Sequence, residues 1–552
     1  MLTLRLVSRR AVLLCVLVAA WPVPEVQATV TAAIKASRVA CVSPCTVVFS
    51  AENSADTALV DPHLALSDLG YHFDFDDEAS GNYSTTSLPK QRQLGGALAA
   101  HTFVCSSTST KLVDGRQCAY EVGVRVQNAA GDIADAFVGV TVRESSAYYG
   151  AANTICVSNS GAFDGDIPCP AGAVRTNALP AVGGYSGKRV LLRRGESFAG
   201  PICTSYLERD VLIESFGNAI DRKPEVIAGV QVGVDTKCGD RVPDSDAEIA
   251  SYGKSWSENV TVNNIRTSAV SLGMSYTHVT LHALDMDYKE QPSGGQISLN
   301  SNSQACVGSA SIACSNVPYP IGAYISDTKI VGSDTALPLV NVAGFRCPLI
   351  NYLAFIGNDV GNADEHNMRT EGTWRGVWAH NKMRGYHHNS GKKHTITIRN
   401  CGYGDIDPGV ALFRQNAQQS TVAAPRTGYS VVADNILGSV DSTQASWKLH
   451  IGPTNDGSTE AGWDAVVERN IFIDSIVSPS IDMALRGKYL VARSNNKFSP
   501  DQQGCTDLGP GAIPEGYYSP ARCKSPDVPR PERPNRTASL SSPPSPVTLQ
   551  VN

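Results

Sequence analysis

Residues 376–383 read Gly-Val-Trp-Ala-His-Asn-Lys-Met and decide the fold. In this stretch a short β-prone run leads to an asparagine, and another apolar residue follows. Similar stretches occur at residues 258–265, 429–436 and 465–471. Such imperfect repetition is typical of a parallel β-solenoid, because each rung stacks its inward side chains and its turn asparagines on the next rung. The pattern predicts that Asn381, Asn435 and Asn470 are structural ladder residues.

The same character extends over residues 148–500, where Asn, Gly, Asp and Ser separate short β-runs and few helices are predicted. A solenoid uses several hundred residues as one elongated unit, so a chain of 552 residues does not require many domains. Residues 189–198, Arg-Val-Leu-Leu-Arg-Arg-Gly-Glu-Ser-Phe, resemble an early rung of secreted proteins of the pectate-lyase-like superfamily. That resemblance implies a right-handed parallel β-helix over residues 148–500.

Residues 29–145 follow a different pattern, of alternating strands joined by turn residues. The strand at residues 120–126 carries apolar side chains at every second position, as a half-buried strand does. Together with the aromatic and polar alternation at residues 71–77, this segment resembles a PKD domain, an immunoglobulin-like module of secreted and surface proteins. The predicted fold class is all-β: an N-terminal immunoglobulin-like β-sandwich (PKD) plus a right-handed parallel β-helix.

The two ends of the chain are predicted to lie outside these domains. Residues 1–28 carry three arginines, an apolar run and a final Val-Gln-Ala, which predicts a signal peptide and a secreted, periplasmic or cell-surface protein. Residues 501–552 are predicted to be a disulfide-stapled loop and a proline-rich disordered tail.

After the predicted signal peptide, no stretch approaches the roughly 20 apolar residues of a membrane span. A net charge of −6 gives no basic footprint for nucleic acid.

The cysteines suit an oxidising compartment. Fifteen are present, and Cys15 leaves with the signal peptide, so the mature chain keeps an even number. Zinc binding is the weaker alternative, because no Cys-x2-Cys spacing occurs. Sequence neighbours are predicted to pair as local disulfides: Cys41/Cys45, Cys105/Cys118, Cys156/Cys169, Cys203/Cys238, Cys306/Cys314, Cys347/Cys401 and Cys505/Cys523.

The densest group of ionisable residues lies at residues 364–399. It holds seven arginines and lysines against three acidic residues, in a chain that is negative overall, and five of the eleven histidines. A local positive field in an acidic secreted protein predicts an anionic ligand.

Strand parity refines this prediction, because successive side chains of a strand point to opposite faces. If apolar residues such as Val377 and Ala379 face the solenoid interior, their polar neighbours share the outer surface. The outward set predicted in this way is Glu365, Arg369, Trp378, His380 and Arg399. This surface would form a groove for an acidic saccharide, since arginine binds carboxylates in a bidentate way and tryptophan offers a flat face to a sugar ring. Further residues predicted to bind substrate there are Arg375, Lys382 and His394.

Residues 365–369 and 379–381, with the strand and asparagine rung at residues 393–399 and 431–438, resemble segments of the alginate lyase and chondroitinase B group of parallel β-helix lyases. The resemblance implies a polysaccharide lyase that cleaves a uronic-acid-containing polysaccharide by β-elimination. Arg369, or a calcium ion near Glu365, is expected to neutralise the uronate carboxylate. Arg399 is expected to polarise or protonate the leaving oxygen. The group has a lysine base after the glutamate, whereas this chain has Arg369 there, so three candidates for the base stay open: His366, Lys392 and Lys393.

Two other classes of function stay open. A parallel β-helix glycoside hydrolase would need a cluster of aspartates and a Gly-His-Gly segment, and the chain contains no such segment. A non-catalytic, adhesive β-helix that binds an anionic glycan is equally compatible with the PKD-like module and the proline-rich tail. Trp374 is either a packed cap over the solenoid or a sugar platform.

Overall fold

The computed structural model places a β-sandwich and then a β-solenoid along the chain. It describes residues 29–59, 65–205, 207–233, 257–273, 276–287, 296–299, 321–331, 340–342, 350–361, 368–383, 387–404, 410–415, 430–439, 449–453, 465–473, 491–492 and 497–498. The predicted signal peptide and the predicted C-terminal loop and tail lie outside the described residues. Among the described residues, no helix has the length and apolar character needed to cross a membrane.

The sandwich has two main sheets, paired antiparallel except where Ala40–Val42 runs parallel to its neighbour. The larger sheet contains, in spatial order, Ala40–Val42, Ile133–Arg143, Gln117–Gln127, Gly70–Asp74 and Arg92–Leu94, with Leu112–Val113 beside Gln117–Gln127. The smaller sheet contains Lys35–Ala36, Cys45–Ser50 and Leu98–Phe103. A separate pair is formed by Val30–Thr31 and Ala55–Asp56. Short helical turns are Ala65–Asp68, Glu78–Ser80, Ser145–Tyr149 and Ala151–Asn153.

The sandwich core is aromatic. The Phe49 ring lies 5.8 Å from that of Phe75 and 6.3 Å from that of Phe103, centroid to centroid. Val122 and Val124 are fully buried in the same cluster, as the period-two pattern predicts. A two-sheet sandwich is thus confirmed at this end of the chain, whereas membership of the PKD family stays a prediction.

The solenoid is built from coils that contribute strands to three faces, here called A, B and C, and all the pairing between coils is parallel. Face A contains Val174–Thr176, Thr154–Val157, Arg189–Arg193, Arg209–Phe216, Ser257–Asn263, Tyr276–His282, Ile321–Ser326, Ile350–Ile356, the second halves of Met368–Ala379 and His387–Ile398, Ser430–Ala433, Ala465–Glu468 and Val491–Ala492. Face B contains Ser197–Phe198, Glu225–Val226, Arg266–Thr267, Asp285–Asp287, Lys329–Val331, Asp359–Gly361, Lys382–Met383, Cys401–Gly404, Ile436–Ser439, Ile471–Ile473 and Lys497–Phe498.

Face C contains Ile202–Thr204, Val230–Val232, Ala269–Leu272, Gln296–Leu299, Val340–Val342, the first halves of Met368–Ala379 and His387–Ile398, Val410–Gln415 and Leu449–Pro453. This strand pairing confirms the predicted parallel β-helix. Its interior is filled by one continuous apolar cluster that extends from Val157 to Met383.

An asparagine ladder closes the turn between faces A and B. Asn381 donates its backbone N–H to Asn400 Oδ1 at 3.0 Å, and Asn400 donates in the same way to Asn435 Oδ1 at 3.0 Å. Asn358 precedes this series and Asn470 is its last member among the described residues, and both are fully buried. Each side chain thus satisfies a backbone donor that the tight turn would leave unpaired. The ladder role predicted for Asn381, Asn435 and Asn470 is confirmed.

The smaller sheet of the sandwich packs on face A and is buried on both sides. All residues of Cys45–Ser50 and Leu98–Phe103 are buried, so the Thr46 and Thr102 hydroxyls pair with each other at 2.8 Å. Gly96 lies against Ile396, where an added side chain would collide. The outer residues of face A that join the sandwich core are Tyr324, Ala354, Ile356, Val377, Ala379, Ile396, Ile398, Val431, Ala433 and Val466. The outer wall of face A is therefore an interface.

Three predicted disulfides are present: Cys41–Cys45, Cys105–Cys118 and Cys156–Cys169. Cys203 and Cys401 are also disulfide-bonded. Their predicted partners, Cys238 and Cys347, lie outside the described residues. The same is true of the four cysteines of the pairs Cys306/Cys314 and Cys505/Cys523.

Candidate functional site

Face C carries the predicted catalytic residue Arg369. Strand pairing aligns Arg369 with Asn341 of the preceding coil and with His388 of the next coil. Ser271 and Ser298 continue the same line toward the N-terminal end of the solenoid. We call these five positions the face C column. Because adjacent strands lie about 4.8 Å apart, the column positions of successive coils repeat at about this interval along the solenoid axis.

The neighbours of the column show which side of the strand it occupies. Ile297 and Leu299, which flank Ser298, are buried in the solenoid core, whereas Ser298 is half-buried. Met368 is aligned with Ile297 through the intervening strand. Met368 and Arg369 continue these two lines in backbone register, and the outward orientation of Arg369 stays a prediction.

The two lysine candidates for the base fall in different columns. Lys392 is aligned with Thr373, which is fully buried, and Lys393 is aligned with Trp374. Trp374 is 38% exposed, so it is not a buried cap over the solenoid.

Where face C meets face A, three ionisable side chains form the Glu52 cluster: Glu52 of the sandwich with Arg375 and His394 of the solenoid. Arg375 Nε donates to Glu52 at 2.7 Å, and His394 Nδ1 is hydrogen-bonded to the other carboxylate oxygen. The Arg375 guanidinium also lies 4.6 Å from the centre of the Trp374 ring, within range of a cation–π contact. Two predicted substrate-binding residues are thus engaged in holding the sandwich, while the neighbouring tryptophan stays partly open.

The neighbours of Glu52 in this cluster change the pKa of its carboxyl group. Burial alone would raise the pKa of Glu52, but the hydrogen bond from His394 and the positive charges beside the carboxylate outweigh burial and lower the pKa to about 2. The carboxylate is therefore ionised over the whole physiological range and acts as a fixed acceptor between the two domains.

The predicted outward orientation of Trp378 is wrong, and His380 faces outward but is covered by the sandwich. Trp378 is fully buried in the solenoid core, and Gly376 leaves room for its ring. Val377 and Ala379 instead face the sandwich. His380 is 1% exposed and stacks on Tyr83 of the sandwich, with ring centroids 4.2 Å apart. Neither predicted residue offers a surface to a polysaccharide.

Arg399 does not share a surface with Arg369. It occupies the turn between faces A and B with a φ of 53°, and is 7% exposed. A full face A strand separates this turn from face C, so Arg399 is not placed to reach a leaving oxygen at Arg369. The predicted continuous cationic surface is therefore divided between face C, the Glu52 cluster and the A–B turn.

The physical reason is that face A is buried on both sides. Period-two alternation identifies the two sides of a strand, but it shows which side is interior only when the other side meets water. Here the small and branched apolar residues of the strands at residues 377–379 and 396–398 pack on the sandwich, and Trp378 fills the interior.

The other predicted residues lie apart or are not described. Lys382 is on face B, away from the face C column. Glu365 and His366 lie outside the described residues. Among the described side chains, no group of three or more His, Cys, Asp or Glu is arranged to hold a metal ion. Calcium near Glu365 stays a prediction.

Three positions were missed from the sequence: Glu52, Asn341 and His388. The position of His388 in the face C column could have been inferred from sequence. His388 precedes Ile396 by the same number of residues as Arg369 precedes Val377, and these pairs are aligned in adjacent coils. Nothing local marks Glu52, since its partners lie more than three hundred residues away in the chain.

Comparisons with known proteins add little to this picture. No protein-family model matches the chain, and no curated protein matches it. Among solved structures it is similar to a Yersinia enterocolitica family 28 exopolygalacturonase, at 9% sequence identity and a TM-score of 0.29, over 86% of this chain and 99% of that one. At these values the strand pairing of the chain itself carries the fold assignment. The fold and site define a parallel β-helix protein with a sandwich docked on one face.

Proposed function

We propose that the protein is a secreted polysaccharide lyase that binds a uronic-acid-containing polysaccharide along face C and cleaves it by β-elimination. The observation that carries the proposal is the face C column, which aligns Arg369 with His388 on adjacent coils. The three disulfides support secretion, because such bonds persist in oxidising compartments.

The architecture favours face C over the other two faces as the substrate surface. The sandwich covers the outer wall of face A. From Ser257–Asn263 to Ala465–Glu468, the strands of face A are joined to those of face B by two-residue turns such as His380-Asn381, whereas Gln296–Leu299 of face C and Ile321–Ser326 of face A are separated by a much longer stretch of sequence. Binding residues are commonly carried on such connections beside a rigid scaffold.

The chemistry requires a cation, a base and a proton donor. Arg369 pairs with the uronate carboxylate, which makes the C5 proton more acidic and stabilises the enolate that forms. A base, His388 or Lys393, removes that proton. The electrons of the C5–H bond then form the C4–C5 double bond, the C4–O bond breaks, and the leaving oxygen takes up a proton.

Elimination fits this face better than hydrolysis does. An inverting or retaining glycosidase needs two carboxyl groups across the scissile bond. Among the described strands of face C, Glu371 is the one acidic residue. A single carboxylate beside an arginine and a histidine suits proton abstraction next to a carboxylate.

The test is a panel of alginate, pectate, glucuronan and glycosaminoglycans, followed by the ultraviolet absorbance of the new conjugated double bond. We expect Arg369→Ala to lower kcat by about 10²–10³ and His388→Ala by about 10²–10⁴. The matched control is Lys382→Ala on face B, which should leave kcat unchanged. New reducing ends without the absorbance would establish hydrolysis instead. Binding without any cleavage would establish the adhesive alternative.

A further inference from the structure

We propose that mild acidification releases the sandwich from face A while both domains stay folded, through protonation of three histidines at their contact. These interface histidines are His278, His282 and His380. They lie on face A or at its edge, beside cations and aromatic rings at the docked surface. The proposal concerns the docking of the two domains and does not depend on the proposed enzymatic activity.

His380 is enclosed by the sandwich. Its ring stacks on Tyr83, its Nδ1 lies 3.2 Å from the Thr86 hydroxyl, and the Thr85 hydroxyl donates to its carbonyl. Nε2 is buried, and the described residues offer it no hydrogen-bond partner. The charged groups that act on this ring are Arg399 and Lys90. A proton on His380 would thus lie near two cations, and the carboxylate whose charge acts on Tyr83, that of Asp327, is already paired with Lys90.

His278 lies under Arg38 of the sandwich. Its Nδ1 is 2.9 Å from the Tyr324 hydroxyl, which donates to Ser37 of the sandwich at 3.0 Å. The Arg38 guanidinium lies 5.0 Å from the centre of the Tyr324 ring and donates to Thr280 at 3.0 Å. Protonation of His278 would place a second cation against Arg38.

His282 lies near one carboxylate and two cations. Its Nδ1 is 2.9 Å from the Ser326 hydroxyl and 3.8 Å from Asp327 Oδ2. That carboxylate already binds Lys90 of the sandwich at 2.7 Å. Lys223 is a second cation whose charge acts on the His282 ring. A protonated His282 would compete with Lys90 for Asp327, and so weaken an ion pair that joins the domains.

The direction of the pH effect follows from these surroundings. Burial lowers the pKa of His282 to about 4, and burial together with the nearby cations holds the pKa values of His278 and His380 well below 6.5. Histidines freed by release would titrate near 6.5. The released form therefore binds protons more tightly, and docking is fully present above about pH 6.5 and weakens as the pH falls toward 4. Between these pH values each histidine lowers the docking equilibrium constant by up to about tenfold per pH unit. Three histidines together lower it by up to about a thousand-fold per pH unit.

The experiment is small-angle X-ray scattering of the full chain between about pH 7.5 and pH 4.5, with anilinonaphthalene sulfonate as a probe for newly exposed apolar surface. We expect the radius of gyration and the dye fluorescence to rise together as the pH falls, and to reverse when the pH is restored. Far-UV circular dichroism should stay constant. No expansion down to pH 4.5, or expansion with loss of the dichroism signal, would overturn the proposal.

Two variants identify the groups responsible. The combined variant His278→Gln, His282→Gln and His380→Gln should lose the pH dependence in this window, and His380→Gln alone should make the transition less steep. Ile396→Ala is the matched control, because it removes apolar surface at the same interface and no titratable group. It should weaken docking at every pH and leave the steepness unchanged. A combined variant that opens with the wild-type midpoint and steepness would refute the assignment.

Discussion

Replacing Asn400 by alanine tests the asparagine ladder at its centre. The Asn400 side chain makes four hydrogen bonds within the buried turn. Its Oδ1 accepts from the Asn381 N–H at 3.0 Å and from Asn381 Nδ2 at 2.8 Å. Its Nδ2 donates to the Trp378 carbonyl at 2.9 Å and to Asn435 Oδ1 at 3.0 Å. Asn400→Ala removes all four and leaves the Asn381 N–H without this acceptor.

A buried hydrogen bond contributes about 1 kcal/mol, and an unsatisfied buried donor costs about 1–3 kcal/mol. Because Asn381 Nδ2 keeps the Phe355 carbonyl as a second acceptor, the losses do not add in full. We therefore expect Asn400→Ala to lower the free energy of unfolding by about 3–5 kcal/mol.

The assay is urea unfolding followed by tryptophan fluorescence, since Trp378 lies directly beside the ladder. Asn153→Ala is the control: Asn153 is exposed and accepts one hydrogen bond from Lys188, so its loss should change stability by less than about 0.5 kcal/mol. If Asn400→Ala were as stable as the control variant, the ladder would not hold the coils in register and this reasoning would fail.

Two further predictions concern the core and the interface. Trp378→Ala should lower the free energy of unfolding by about 3–5 kcal/mol, because it leaves a cavity at the centre of a coil. Trp374→Ala should lower it much less, because Trp374 is partly exposed. If urea unfolding gave the same loss of stability for both variants, the interior placement of Trp378 would be contradicted. Glu52→Gln should lower it by about 3 kcal/mol at neutral pH, since the Glu52 pKa is depressed to about 2 and its contribution is present above about pH 4.5. That difference should vanish as the pH falls toward 2; a difference that persists in unfolding curves at pH 2 would refute it.

Much of the architecture was predictable because it is local. The β-runs ending in asparagine predict stacked coils, since the ladder amide and the backbone it satisfies lie within a few residues of each other in the turn. The alternation at residues 120–126 predicts a sandwich strand for the same reason, but residues 122–126 are buried throughout rather than on one side. The cysteine neighbours Cys105 and Cys118 pair as predicted because they are separated by only 13 positions in the chain.

The candidate site was only partly predictable. Strand parity predicts that Arg369 and Met368 lie on opposite sides of their strand; the register aligns Arg369 with Ser298 through the intervening strand, and the orientation of its side chain stays a prediction. The same rule failed for Trp378, because its strand is buried on both sides. Glu52, which organises Arg375 and His394, has no sequence signal near its partners.

The sequence by itself determined that this chain forms a sandwich followed by stacked β-coils, because strand propensity, turn asparagines and short-range disulfides act over a few residues. The tertiary structure alone decided which surface of the coils is open, since that depends on where a domain from the other end of the chain packs. Apolar side chains on face A could face either the interior or a docked sheet, and burial has the same hydrophobic driving force in both cases.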